Sequence, residues 1–97
     1  MSVLRKSYRD SSLERLQDSA EAAAYLDATL EEEDIRVFLV ALRDVAEARG
    51  IGRVATEANL NRESLYRMLS EEGNPRLSSL EALLHAFGLR LAVEVRD

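Results

Sequence analysis

The chain has no cysteine and no tryptophan, and it has only one histidine and one proline among its 97 residues. The absence of cysteine excludes disulfides and thiolate metal sites. The single histidine, His85, stands between the apolar residues Leu84 and Phe87 in a helical pattern, where a histidine more often packs or faces solvent than acts as a base. We therefore expect no enzymatic activity, no catalytic or metal-binding residues and no cofactor.

Long hydrophobic runs are also missing. No stretch approaches the length of a membrane span, and residues 1–6 lack the apolar core of a signal peptide. We expect a cytoplasmic protein with no membrane partner. Its length fits one domain with a single modest core.

Charge is unevenly distributed along the chain, which carries a net charge of −5. Residues 1–34 contain nine acidic and four basic side chains, whereas residues 35–97 contain nine of each. The acidic run at 31–34 is interpreted as a linker and helix cap, with Asp34 as the N-cap residue. A metal site there is disfavoured because its side chains would point in different directions.

The apolar spacing predicts a mainly α-helical fold. We expect an N-terminal arm over residues 1–17, with a helical turn at 12–16, and one helical domain over residues 18–97. Helices are predicted from a capping box at Asp18 to about Leu30, from Ile35 to Arg49, and from a second capping box at Ser78 to Phe87. Their expected core residues are Ala22, Ala23, Leu26, Leu30, Phe38, Leu39, Leu42, Val45, Ala46, Leu80, Leu83, Leu84 and Phe87.

Between these helices, residues 54–69 have the pattern of a helix-turn-helix, and we place the whole unit at 52–70. Ala55 is small enough for close helix approach, Asn59 tolerates the positive φ of a tight turn, and Asn61 suits an N-cap. Buried positions at 61, 65, 68 and 69 would leave the opposite face exposed, comprising Arg62, Glu63, Tyr66, Arg67 and Ser70. Such a face suits the major groove of DNA. The alternative is a helical hairpin with a merely solvated outer face.

The last segment changes to a period of two, with Leu89, Leu91, Val93 and Val95 alternating with Arg90, Ala92, Glu94 and Arg96. This alternation predicts a short β-strand at 89–95. Because a lone strand has no partner within a helical chain, we expect it to pair with the same strand of a second copy. Leu89, Leu91, Val93 and Val95 are thus the predicted dimerisation residues. The alternative is a terminal extended segment lying on the helices.

Several blocks of the sequence resemble the addiction-module antidote proteins, which are HigA-like antitoxins with a lambda-repressor-like (XRE-type) helix-turn-helix. The blocks lie at 23–26, 38–50, 61–70, 73–77 and 84–91, so the resemblance spans roughly residues 18–95. It implies a helix-turn-helix bundle with an N-terminal helical extension. It also implies a dimer that represses its own operator and neutralises a RelE/HigB-type ribonuclease toxin encoded beside it.

The resemblance further implies which residues meet operator DNA. The matching DNA-binding positions are Arg53, Asn61, Arg62, Glu63, Ser64, Tyr66, Arg67, Asn74 and Arg76. Of these, Arg53 matches a phosphate-contacting position, and Asn74 and Arg76 match the loop after the recognition helix. The chain departs from the family pattern at Gly52, where Ser or Thr usually opens the first motif helix, and at Asn59, where Gly is usual. The Gly52 departure is expected to weaken DNA binding.

Charge limits the expected affinity for DNA. Glu57, Glu63, Glu71 and Glu72 dilute the arginines around the motif, so we expect modest affinity per chain, strong salt dependence and a need for dimerisation. Two other functions remain open. One is a solitary helix-turn-helix regulator of the prophage type without a toxin. The other is an interaction module whose acidic N-terminal helices bind a basic partner, as a typically basic ribonuclease toxin would be.

Overall fold

The computed structural model describes residues 13–70 and 72–97. Within these ranges the chain forms a helical turn at 13–15 and five longer helices. The longer helices are α1 (Ser19–Leu30), α2 (Ile35–Arg49), α3 (Ile51–Glu57), α4 (Arg62–Met68) and α5 (Leu77–Ala86). The mainly helical class is therefore confirmed. Residues 1–12 of the arm predicted at 1–17 lie outside the described residues.

Capping side chains set the starts of the first two helices. Asp18 accepts a hydrogen bond from the Ala20 amide at 2.9 Å, and Asp34 accepts one from the Arg36 amide at 3.0 Å. Each bond satisfies one of the free amides that every helix start presents. Gly50, with φ of 96°, ends α2. The bounds predicted for α2 from its apolar spacing are confirmed.

The start predicted for the last helix is wrong. The capping box at Ser78 is not used, because α5 begins at Leu77 with Arg76 as its N-cap residue. The Leu80 amide donates to the Arg76 carbonyl at 2.9 Å, so helical hydrogen bonding already begins at Arg76. Arg76 provides no side-chain hydrogen bond to the helix start, because a guanidinium has no acceptor for the free amides.

The core is formed mainly by α2, against which α1 and α3 pack, and α3 in turn packs against α4 and α5. Five of its large side chains, Leu42, Val45, Leu65, Leu83 and Phe87, are completely buried. Burial of each such side chain stabilises the fold by about 1.5–3 kcal/mol. The buried members of the core are Leu16, Ala22, Leu26, Phe38, Leu39, Ala41, Leu42, Val45, Ala46, Val54, Ala55, Leu65, Leu69, Leu83, Leu84 and Phe87.

Three expected core residues are less buried than their spacing implied, and the first of them, Ala23 of α1, is half-buried. Leu30 is 53% exposed because it is the last residue of α1, where the chain leaves the helix. Leu80 is half-buried at the edge of the core. Conversely, Leu16 lies in the core although it precedes the first long helix. Residues 13–17 are thus packed against the domain.

The β-strand predicted at 89–95 is not formed in the single chain. Residues 89–97 form neither helix nor strand, and the described residues offer no ladder partner. Leu89 packs against the core, whereas Val93 and Val95 are 99% and 93% exposed. The segment up to Glu94 borders an apolar groove that also contains Leu30 and Phe38. Within one chain, only the start of this segment lies on the helices as the extended alternative expected, because Leu89 packs against the core and residues 90–97 are exposed.

No helix in the described ranges combines the length and the apolar content that crossing a bilayer would require.

Candidate nucleic-acid interface

The two short helices predicted over 54–69 are present as α3 and α4. Together with the connecting residues 58–61 they are called the motif below. Ala55, Val54 and Ala58 of the first half are buried, as are Leu65 and Leu69 of the second. Ala55 therefore lies in the core beneath the turn, where its small side chain allows the two helices to approach each other.

The turn between the helices is a Schellman motif. The Leu60 amide donates to the Ala55 carbonyl at 2.8 Å, and the Asn59 amide donates to the Thr56 carbonyl at 3.1 Å. Asn59 has φ of 58°, the only positive φ of a non-glycine residue among those described. The prediction that Asn59 carries the left-handed turn conformation is confirmed.

Asn61 caps α4, because its Oδ1 accepts a hydrogen bond from the Ser64 amide at 2.7 Å. The N-cap prediction is thus confirmed, but the expectation that position 61 belongs to the buried row is wrong. Asn61 is exposed, since its side chain turns back to the free amides at the helix end and does not enter the core.

The opening of α3 also differs from expectation. The helix begins at Ile51 with Gly50 as its N-cap, so Gly52 lies inside the first turn. Gly50, like Gly52, has no side chain that could accept hydrogen bonds from the free amides at the helix start. The guanidinium of Arg62 lies beside Gly52, where an added Cβ would be 3.4 Å from Arg62 Nη2. Arg62 therefore reaches from the start of α4 across the start of α3.

The outer face of α4 is exposed as predicted, except at Ser70. Arg62, Glu63, Tyr66 and Arg67 are exposed, while Ser64 and Ser70 are half-buried. Neither Arg62 nor Arg67 forms an ion pair with another described residue. These two guanidinium groups therefore keep their hydrogen-bond donors available on a face that points to solvent.

The loop after α4 brings further polar groups beside this face. A shallow cavity of about 510 Å³ is lined by Ser64 and Arg67 of α4 together with Asn74 and Arg76 of the loop. Glu72 also lines it and lowers its positive charge. Four residues predicted to bind DNA thus converge on one concavity.

Gly73 allows the close approach of this loop to α4. An added Cβ at Gly73 would lie only 2.1 Å from the Met68 carbonyl oxygen, and the Gly73 amide donates to the Ser70 carbonyl at 2.8 Å. A side chain at this position would push the loop outwards. The positions of Asn74 and Arg76 relative to α4 therefore depend on Gly73.

Arg53 is placed apart from this cavity. Its Nε donates to Glu57 Oε1 at 3.0 Å in an exposed i,i+4 pair. It lines a different cavity, of about 390 Å³, together with Gln17 and Arg49. A phosphate contact by Arg53 would therefore be made beside an existing ion pair.

The structure adds one side chain that the sequence did not indicate. Arg43 of α2 places its Cζ atom 5.4 Å from the centroid of the Tyr66 ring. Arg43 Nε also donates a hydrogen bond to Glu47 at 3.0 Å. This i,i+4 spacing of Arg43 and Glu47 is visible in the sequence. The contact with Tyr66, however, joins two helices and depends on the tertiary fold.

Comparison with known proteins identifies the family of this chain. The family model described as probable addiction module antidote protein matches residues 8–95. An uncharacterised protein of Haemophilus influenzae is 36% identical over 81 residues, which cover 84% of each chain. No solved structure gives a significant match. Since the family model covers nearly the whole sequence, the chain belongs to the family of probable addiction module antidote proteins.

Proposed function

We propose that this protein is an antitoxin that neutralises a RelE/HigB-like ribonuclease toxin and, as a homodimer, represses its own operon by binding operator DNA. In this proposal α4 is the recognition helix of a HigA-like, lambda-repressor-like domain. The protein acts in the cytoplasm by binding alone and catalyses no reaction. The observation that carries the DNA-binding part is the exposed outer face of α4, where neither Arg62 nor Arg67 forms an ion pair with another described residue and Arg67 lies beside the polar loop.

The side chains on this face suit both kinds of DNA contact. Arg67 can present two parallel donors to the edge of a guanine, the commonest specific contact in the major groove. Asn74 and Arg76 border the same cavity as Arg67 and suit contacts with the flanking phosphates. Arg53, Asn61, Arg62, Glu63, Ser64 and Tyr66 complete the proposed interface.

A dimer is proposed because one copy offers only a small surface for binding DNA. The helix α4 has seven residues and is therefore about 10 Å long, which spans only a few base pairs. The face of α4 also carries Glu63, which opposes phosphate. Two copies joined through Leu89, Leu91, Val93 and Val95 would present two recognition helices to a symmetric site. Such pairing would also cover the two valines that are almost fully exposed in one copy.

The toxin-binding part rests on family membership and on charge. Residues 13–34 expose acidic side chains on α1 and on the linker that follows it, among them Glu21, Asp27 and Glu31. This acidic region complements the basic surface expected of a ribonuclease toxin. It is separate in sequence from the motif, so one chain has room for both duties.

The DNA-binding part of the proposal is tested by measuring how tightly the Arg67→Ala variant binds the DNA upstream of the gene. We expect a loss of about 1–3 kcal/mol in binding free energy if Arg67 contacts a base edge. Arg36→Ala is the matched control, because it removes the same charge from the first turn of α2, outside the motif. Equal effects of the two substitutions would contradict the assignment of α4 as the recognition helix.

The antitoxin part is tested by co-expression with the neighbouring reading frame, expected to encode a small basic protein. Growth should stop when the neighbour is expressed alone and recover when this protein is present. Persistent toxicity together with intact operator binding would instead support the solitary regulator.

A further inference from the structure

The geometry points to Arg43 as a positioning residue for Tyr66, so that a side chain of α2, outside the motif, takes part in DNA recognition. This inference rests on the proposed function, because it concerns how the outer face of α4 is held ready for DNA. It is carried by the 5.4 Å separation between Arg43 Cζ and the centroid of the Tyr66 ring.

Tyr66 needs such support. Its side chain is 41% exposed in the middle of the outer face of α4, between Glu63 and Arg67 in sequence. An exposed aromatic side chain can adopt more than one rotamer, and only some of them direct the phenol towards a groove. A guanidinium over the ring favours one position through cation–π attraction, which at an exposed site changes an equilibrium by about two- to fivefold.

Arg43 is itself held in place. Its Nε donates to Glu47 Oε1 at 3.0 Å, one helical turn further along α2. The Arg43 side chain is 49% exposed, and its terminal nitrogens form no hydrogen bond with another described residue. Glu47 thus orients the Arg43 side chain along α2, with its Cζ atom 5.4 Å from the centroid of the Tyr66 ring.

Two roles of Arg43 must be separated by experiment. A positioning residue acts through Tyr66, so its effect on DNA affinity should disappear when the ring is absent. A simple phosphate contact would act independently of Tyr66, and its loss would lower the slope of log affinity against log salt by about one.

The test is a double-mutant cycle of Arg43→Gln and Tyr66→Ala, with affinity for the upstream DNA measured across a salt series. We expect Arg43→Gln to weaken binding about three- to fivefold in the wild-type background and to have almost no effect beside Tyr66→Ala. The salt slope should be unchanged. An equal loss in both backgrounds would overturn the inference.

The matched control is Arg53→Gln, because Arg53 forms the same kind of i,i+4 pair, with Glu57, also at 3.0 Å, but contacts no aromatic ring of the described residues. Its effect should add to that of Tyr66→Ala. The affinity of Arg67→Ala for the same DNA, assayed in parallel, tests the proposed DNA-binding function separately from the positioning role of Arg43. If Arg67→Ala weakens binding and the cycle shows no coupling, only the positioning role fails.

A second readout needs no DNA. The ring protons of Tyr66 should shift in the NMR spectrum of Arg43→Gln, while those of Tyr25 should stay in place. Thermal denaturation of the same sample checks that the fold is retained, as expected for a substitution at a half-exposed side chain. An unchanged Tyr66 ring spectrum would count against the contact itself.

Discussion

Ser19 joins the first long helix to the end of the last one, since its hydroxyl donates to the Phe87 carbonyl oxygen at 2.8 Å. The same oxygen of Ser19 accepts from Arg49 Nη2 at 3.0 Å, and the Arg49 guanidinium lies 5.9 Å from the Phe87 ring centroid. One hydroxyl therefore connects α1, α2 and the C-terminus of α5. This connection fastens the N-terminal extension to the helix that follows the motif.

We predict that Ser19→Ala lowers the free energy of unfolding by about 1–2 kcal/mol, because Arg49 loses an acceptor and the Phe87 carbonyl loses a donor. Urea denaturation followed by circular dichroism measures this change. Ser78→Ala is the control, since Ser78 is exposed and should change stability by less than about 0.5 kcal/mol. Equal stability losses in the two variants would show that the Ser19 connection is not specific.

Gly88, which follows Phe87, is predicted to be intolerant of a side chain. Its φ is 78°, and an added Cβ would lie 2.7 Å from Ser19 Oγ. Gly88→Ala should therefore lower stability by about 1–2 kcal/mol from the left-handed backbone alone, with a further loss from the contact. Because Ser19→Ala removes the atom in closest contact, the double variant should lose less stability than the two single losses combined. Strict additivity would contradict the proposed clash.

At Asn59, unlike at Gly88, the prediction includes a substitution that does not lower stability. Glycine adopts φ near 58° without the cost imposed by a Cβ, whereas alanine does so at a cost. We expect Asn59→Ala to lower stability by about 1 kcal/mol and Asn59→Gly to leave it unchanged or raise it slightly. Melting temperatures of the two variants measure the difference. A lower melting temperature for Asn59→Gly than for Asn59→Ala would exclude the backbone explanation.

The sequence predicted those parts of the fold that depend on local rules. Spacing identified α2 from Ile35 to Arg49, and side-chain chemistry identified Asp18, Asp34 and Asn61 as caps and Asn59 as the turn residue. Each of these features depends on residues within four positions of one another. These features can therefore be predicted from local hydrogen bonding and apolar periodicity.

Features set by several elements were not predictable in the same way. The capping box at Ser78 satisfied the sequence rule, yet helical hydrogen bonding begins at Arg76. A strand needs a partner, so the alternation at 89–95 alone could not define its state in a single chain. For the candidate site, the exposed row on α4 followed from helical spacing. The convergence of Arg67 with Arg76 and the contact of Arg43 with the Tyr66 ring depend on how loops and helices pack.

Asp34 should give the protein a small pH dependence at its second helix start. The Arg36 side chain, and next the Arg36 amide, hydrogen-bond the Asp34 carboxylate and hold its pKa at about 2, below the ordinary 3.8. Because the folded pKa is the lower one, the stabilisation is complete above about pH 4 and is lost as the pH falls towards 2. NMR titration of the Asp34 carboxyl should report the low pKa.

Arg36→Gln provides the matching test of the cause of this shift. The main hydrogen bond to the carboxylate is then lost, while the amide of residue 36 remains, so the pKa of Asp34 should rise towards its ordinary value. A pKa that stays near 2 in this variant would assign the shift to the backbone amide.

The C-terminal segment carries the last prediction, which concerns the proposed homodimer. Val93 is 99% exposed, so Val93→Lys should leave the stability of a single chain unchanged. If the segment pairs with its copy through the face that contains Val93, the added charge should weaken the dimer and lower operator affinity. Sedimentation velocity at micromolar concentration should then show monomers for Val93→Lys. Ala92→Lys adds the same charge on the alternate face and should remain dimeric. A monomeric wild-type protein would remove the dimer from the proposal, and a dimeric Val93→Lys would place the interface elsewhere.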